Sequence, residues 1–201
     1  MKEEQVFFTG GTQKIEGLFA VNEGSAGAVI MHPHSLMGGS MFNNVVDVLV
    51  STFHGQGFST LRFNFRGVGR SQGSFDDGIG EQEDIKGALA FLRENGIVNV
   101  VLAGYSFGAW VTTKLLVSYN ECADFIMISP PIDFLAFDFT DLRGRCGHII
   151  CGERDQFCSL PRLRDIATTI DCSLDIIGGA DHFYFGREKD IRDTLERYLM
   201  S

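Results

Sequence analysis

The sequence is short of positive charge, of long apolar runs and of paired cysteines, and each shortage closes off a class of function. Lysine and arginine number 17 against 26 aspartate and glutamate, for a net charge of −9. Nucleic-acid binding relies on cations that displace condensed counterions, so no nucleic-acid partner is expected. No stretch reaches the roughly 18 uninterrupted apolar residues of a membrane span, and the N-terminal MKEEQVFFTGG is charged where a signal peptide is apolar. A soluble, cytoplasmic chain without a membrane partner is expected. The five cysteines, Cys122, Cys146, Cys151, Cys158 and Cys172, are odd in number and contain no Cys-x-x-Cys spacing, which argues against both a disulfide framework and a zinc knuckle. They are read as reduced core residues.

What the chain has is apolar material in short blocks. With 201 residues and 44% hydrophobic content it suits a single domain over 1–201 with a substantial core. QVFFTGGTQKIEGLFAV places Gly-Gly between two β-prone runs, which predicts an antiparallel hairpin at the N-terminal edge of a sheet. Apolar runs at 28–31, 58–65, 99–104, 124–129, 148–151 and 174–177 read as buried strands. Segments with helical spacing lie between them at 42–56, 81–95 and 108–119, and REKDIRDTLERYLM reads as a closing amphipathic helix. Alternating strands and helices predict an α/β fold with a mostly parallel sheet covered on both faces. The 17-residue stretch PPIDFLAFDFTDLRGRC has room for a turn of helix but not for a lid, so any cleft there is expected to be accessible.

One stretch carries chemistry. In VVLAGYSFGAW, Ser106 stands between Gly104 and Gly108, after a strand and before a helix, the Gly-x-Ser-x-Gly pattern of a nucleophile elbow. Side chains two residues either side of the serine would collide with the adjoining elements, hence the glycines. A serine hydroxyl needs a base to take its proton and a carboxylate to orient that base. His182 in GGADHFYFG and Asp155 in CGERDQF each follow a predicted strand, so all three would emerge at one edge of a parallel sheet. Glu153, Asp181 and Asp133 are alternative acids; Asp181 could instead bond its own turn. The expected oxyanion donors are the backbone amides of Phe107 and of His34, the latter in the loop HPHSLMGGS, with Ser35 and Leu36 close behind and Gly38 and Gly39 permitting close approach. Leu36, Met37, Phe157 and Phe183 are the expected substrate-binding residues, with Pro130, Pro131 and Phe185 beside them.

Two competing patterns are weaker. His32 and His34 could face one way and hold zinc, but no third ligand is spaced to join them, so no metal is expected. RGVGRSQG at 66–73 fails the dinucleotide fingerprint and reads as a structural turn at the cleft edge, with Arg66 paired to Asp84. Cys158, three residues past Asp155, is read as a buried, inert thiol rather than a reactive one.

Taken together, HPHSLMGGS, LRFNFRGVGRSQG, GYSFGA and GADHF resemble the α/β-hydrolase superfamily, in particular its small lidless bacterial members related to the dienelactone hydrolases, over about residues 5 to 199. The resemblance implies a three-layer αβα sandwich on a mainly parallel eight-stranded sheet, and ester hydrolysis without a cofactor. Ser106 stands where dienelactone hydrolases carry cysteine, and His-Pro-His replaces the His-Gly-Gly-Gly run of many lipases. The expected activity is cleavage of small acyl esters through an acyl-enzyme. A thioesterase, a small-amide or peptide hydrolase, and a non-catalytic binding or scaffold module are the alternatives.

Overall fold

The apolar blocks are strands of one twisted sheet in the computed structural model, which describes residues 1–119, 124–140 and 142–200. Among the described residues there are eight strands: β1 (Glu4–Gly10), β2 (Gln13–Ala20), β3 (Ala26–Met31), β4 (Ser59–Phe63), β5 (Asn99–Tyr105), β6 (Asp124–Ile128), β7 (Cys146–Gly152) and β8 (Ser173–Ile177). They are ordered β1-β2-β4-β3-β5-β6-β7-β8. The Gly-Gly hairpin is antiparallel, with Glu4 opposite Phe19 and Gly10 opposite Gln13. β2 also runs antiparallel to β4, and every later pairing is parallel.

Among the described residues five α-helices cover the sheet: α1 (Asn44–Gly55), α2 (Gly80–Glu94), α3 (Phe107–Leu116), α4 (Leu160–Ile170) and α5 (Glu188–Leu199). Successive strand residues point to opposite faces, so each parallel strand supplies two cores at once. Val29, Leu102, Met127 and Ile149 pack with Ile85 and Leu92 of α2, Leu115 of α3 and Leu163 of α4. Their neighbours Ile30, Ala103, Ile128 and Ile150 pack with Val45, Leu49 and Phe53 of α1 and Ile191 and Leu195 of α5. Burial on both faces is why these strands read as unbroken apolar runs rather than alternating ones. Each of these valine, leucine, isoleucine, methionine and phenylalanine side chains, fully buried, contributes about 1.5–3 kcal/mol. The result is the three-layer sandwich, with no lid among the described residues between β6 and β7.

Helix α4 has no counterpart among the helices expected from the sequence. Its buried residues Leu163, Ala167 and Ile170 keep helical spacing, and Pro161 sits in the first turn where a missing N–H costs nothing, but polar residues dilute the pattern. The expected helix over 108–119 is shorter at its C-terminal end, closing at Leu116. Cys146, Cys151 and Cys158 are buried free thiols, whereas Cys172 is only partly buried; Cys122 lies outside the described residues. None of the described helices is long and apolar enough to cross a membrane.

Because β3, β5, β7 and β8 run the same way, the loops that follow them leave from one edge of the sheet. That edge gathers the His-Pro-His loop, Ser106, Asp155 and His182.

Candidate active site

Strand β5 delivers Ser106 on a sharp turn. Ser106 has φ 54° and ψ −112°, a region that costs an L-residue energy and persists only where the surroundings hold it. Its amide donates to the Ile128 carbonyl at 2.9 Å, and its carbonyl accepts from the Trp110 amide at 3.2 Å. A Cβ on Gly104 would lie 2.5 Å from the Ala109 nitrogen, and one on Gly108 would lie 2.7 Å from the Met31 carbonyl oxygen. Both clashes are with backbone, so neither neighbour can yield. The two glycines let α3 start directly after the serine and pack closely against β3 and β5.

The three loops converge. Ser106 Oγ lies 2.9 Å from His182 Nε2, and His182 Nδ1 lies 2.8 Å and 3.0 Å from the two Asp155 carboxylate oxygens. All three side chains are buried. Asp155 is further oriented by the Phe157 amide, which donates to Oδ1 at 2.9 Å, and the Cys151 thiol sits 3.8 Å from Oδ2. With its carboxylate facing Nδ1, the imidazole presents Nε2 to the hydroxyl as an acceptor, the tautomer a general base requires. The three alternative acids are engaged elsewhere. Glu153 accepts from the Gly179 amide, Asp181 accepts from the Phe183 and Tyr184 amides of its own turn, and Asp133 binds the Ser159 amide and Arg162.

Tyr105 had no role in the sequence reading. Its hydroxyl donates to the His182 carbonyl at 2.8 Å, and its ring stands 5.6 Å from the imidazole. Phe157 and Phe183 pack edge-on against the same imidazole at 4.8 Å and 5.6 Å. Burial pushes the Tyr105 phenol well up, so it stays a donor across the working pH range. The available signal was its position, directly before the nucleophile at the end of β5.

The loop after β3 is built on His32. The Phe65 amide donates to Nε2 at 3.0 Å, so the ring proton is on Nδ1, which lies 2.6 Å from the Pro33 carbonyl. Burial holds this imidazole neutral, lowering its pKa to about 4 against the opposing pull of that carbonyl. With both nitrogens engaged, His32 cannot bind a metal. No cluster of three or more candidate ligands forms among the described residues. The His34 ring lies between Phe75 and Phe107, at 5.1 Å and 4.8 Å, and its Nδ1 accepts from the Leu36 amide. The Phe107 amide, first in α3, has no intrahelical acceptor.

The cleft above Ser106 has a volume of about 320 Å³ and is lined by His34, Met37, Asn43, Phe107, Pro131, Phe134, Leu135, Phe157 and Phe183 among others. Three expected lining residues are elsewhere. Leu36 sits on the outer side of a single 3-10 turn (Ser35–Met37) and is 71% exposed, Phe185 stacks outside Phe183 and is 75% exposed, and Pro130 is buried behind the wall. For Leu36 and Pro130 the next residue in sequence, Met37 or Pro131, takes the inward position. Phe134 and Leu135, in the segment between β6 and β7, supply wall that the sequence did not mark. The 66–73 turn does not line the cleft. Arg66 forms the expected ion pair with Asp84 at 2.8 Å, and Glu16 accepts from the Arg70 amide, so the turn is tied to α2 and β2.

No family model matches the chain. An uncharacterized protein of Rickettsia prowazekii is 34% identical over 98% of this chain and 89% of its own length. The solved structure of an α/β serine hydrolase homologue from Coxiella burnetii is 32% identical, with a TM-score of 0.88 over 98% of this chain and 97% of that one. A Xanthomonas campestris structure described as an α/β serine hydrolase without a lid is 28% identical, with a TM-score of 0.89 over 100% and 94% of the two chains. The chain belongs to the α/β serine hydrolase family, and within it to the lidless form.

Proposed function

We propose that the protein is a serine carboxylester hydrolase that cleaves short to medium acyl esters through an acyl-enzyme. One observation carries this reading: the unbroken hydrogen-bonded chain from Ser106 Oγ through His182 to Asp155, at 2.9 Å and 2.8 Å. Ser106 Oγ attacks the acyl carbonyl while His182 Nε2 takes its proton. Asp155 holds the imidazolium that forms, and the same proton then passes to the leaving alcohol. Water repeats the sequence against the acyl-enzyme and releases the acid. The Phe107 and His34 amides stabilise the oxyanion in each tetrahedral intermediate, in a cleft whose apolar walls strengthen every such contact. No cofactor or metal takes part in this mechanism.

Replacing Ser106 with alanine is expected to lower kcat on p-nitrophenyl butyrate by at least about 10⁴-fold. A fluorophosphonate probe is expected to label Ser106 and to fail after His182→Ala. Unchanged ester hydrolysis by Ser106→Ala would refute the assignment, and absent labelling would favour a binding role.

A further inference from the structure

The walls of the cleft are uncharged as well as apolar. Among the described residues no lysine, arginine, aspartate or glutamate lines it. Arg162, which donates to the Ile132 carbonyl within the Pro131–Leu135 wall, is also paired with Asp133. A carboxylate brought into this cleft would give up water without gaining a cationic partner, inside a chain of net charge −9.

The rings of the wall also form one connected edge-to-face array around the reacting atoms. Phe134 meets Phe157 at 5.7 Å and 60°, Phe157 meets His182 at 4.8 Å and 77°, and His182 meets Phe183 at 5.6 Å and 88°. Aromatic rings favour edge-to-face neighbours because ring faces are negative and ring edges positive. A further ring entering the cleft would extend the array, whereas a saturated ring of the same size would gain only contact area. Even at about 30 Å³ for each of its roughly nine non-hydrogen atoms, a phenylacetyl group fits within the cleft volume of about 320 Å³.

Resting on the assignment of Ser106 as nucleophile, we infer that the site selects uncharged, aryl-bearing acyl groups of the arylacetate class and rejects acyl groups that carry a carboxylate, with Phe134 as a specificity-determining residue. Phe134 is suited to that part because it touches neither Ser106 nor His182 in the ring array and is 53% exposed, so its replacement perturbs the wall rather than the core.

The test compares kcat/KM for four p-nitrophenyl esters, the phenylacetate, cyclohexylacetate, butyrate and hemisuccinate, with fluorophosphonate labelling of Ser106 run alongside. The phenylacetate is expected to exceed the cyclohexylacetate by about three- to tenfold. The hemisuccinate is expected to fall below the butyrate by on the order of a hundredfold. Phe134→Leu is expected to bring the phenylacetate to cyclohexylacetate ratio toward one, a readout in which the amount of folded protein cancels. Labelled enzyme that cleaves the butyrate but shows no aryl preference, accepts the hemisuccinate equally, or keeps its aryl ratio in Phe134→Leu would overturn this inference and leave the hydrolase assignment standing. Failure of both labelling and hydrolysis would overturn the two together.

Discussion

His32 makes a pH-dependent contribution whose size follows from its surroundings. In the folded chain its Nε2 accepts the Phe65 amide proton inside a fully buried site, and its pKa falls to about 4 from an ordinary 6.5. The unfolded chain therefore takes up a proton first as pH drops, and stability present above the unfolded pKa is lost on the way down to the folded one. At 1.36 kcal/mol per pKa unit, the full loss is about 3 kcal/mol, with about 2 kcal/mol of it gone by about pH 5. Urea unfolding at about pH 7 and about pH 5 measures the total pH effect, which includes carboxylates. The His32→Gln variant isolates the histidine, because a glutamine carbonyl can accept the same amide proton but does not titrate. Its own cost at neutral pH is about 1–2 kcal/mol, from the lost edge contact with Phe65 at 4.9 Å. The stability difference between the two pH values is expected to be smaller in His32→Gln by about 2 kcal/mol. An equal pH-dependent loss in both proteins would refute the reasoning. Because His32 anchors the loop that carries His34, acid inactivation is expected to follow the same window.

Asp155→Asn keeps an acceptor for the Phe157 amide but stabilises the wrong imidazole tautomer, so kcat is expected to fall by about 10⁴-fold with little change in melting temperature; steady-state kinetics beside calorimetry checks both halves. Gly108→Ala places a methyl 2.7 Å from the Met31 carbonyl oxygen, and is expected to cost about 1–3 kcal/mol in urea unfolding. An unchanged midpoint would mean that α3 does not press on β3 as described. Tyr105→Phe strands the buried His182 carbonyl, with an expected loss of about 1–3 kcal/mol. In the same variant kcat is expected to drop while KM holds, since the hydroxyl faces the histidine loop; a KM change with kcat intact would place the hydroxyl on the substrate instead.

The sequence by itself determined the frame. Strand positions were legible because a parallel strand covered on both faces is mostly apolar along its length, and the helices at 42–56, 81–95 and the C-terminus were legible from their spacing. Ser106 was legible for a local reason: its glycines are required by clashes with Ala109 and Met31 that any strand-to-helix turn of this sharpness creates. Asp155 and His182 could be placed after the right strands from chain order alone. Their separation could not, because the 2.8–3.0 Å contacts join residues 27 and 76 positions apart and arise only when the parallel strands β5, β7 and β8 end at one edge. Tertiary structure alone also decided which acid faces the imidazole, since Glu153, Asp181 and Asp133 have the same chemistry and differ only in the amides they meet. It decided the wall as well: Leu36 turns outward while Met37 turns inward, and Phe134 and Leu135 join from a segment with no periodic pattern. Neighbouring residues in a loop differ in direction through backbone turns and distant contacts, which composition and spacing do not encode.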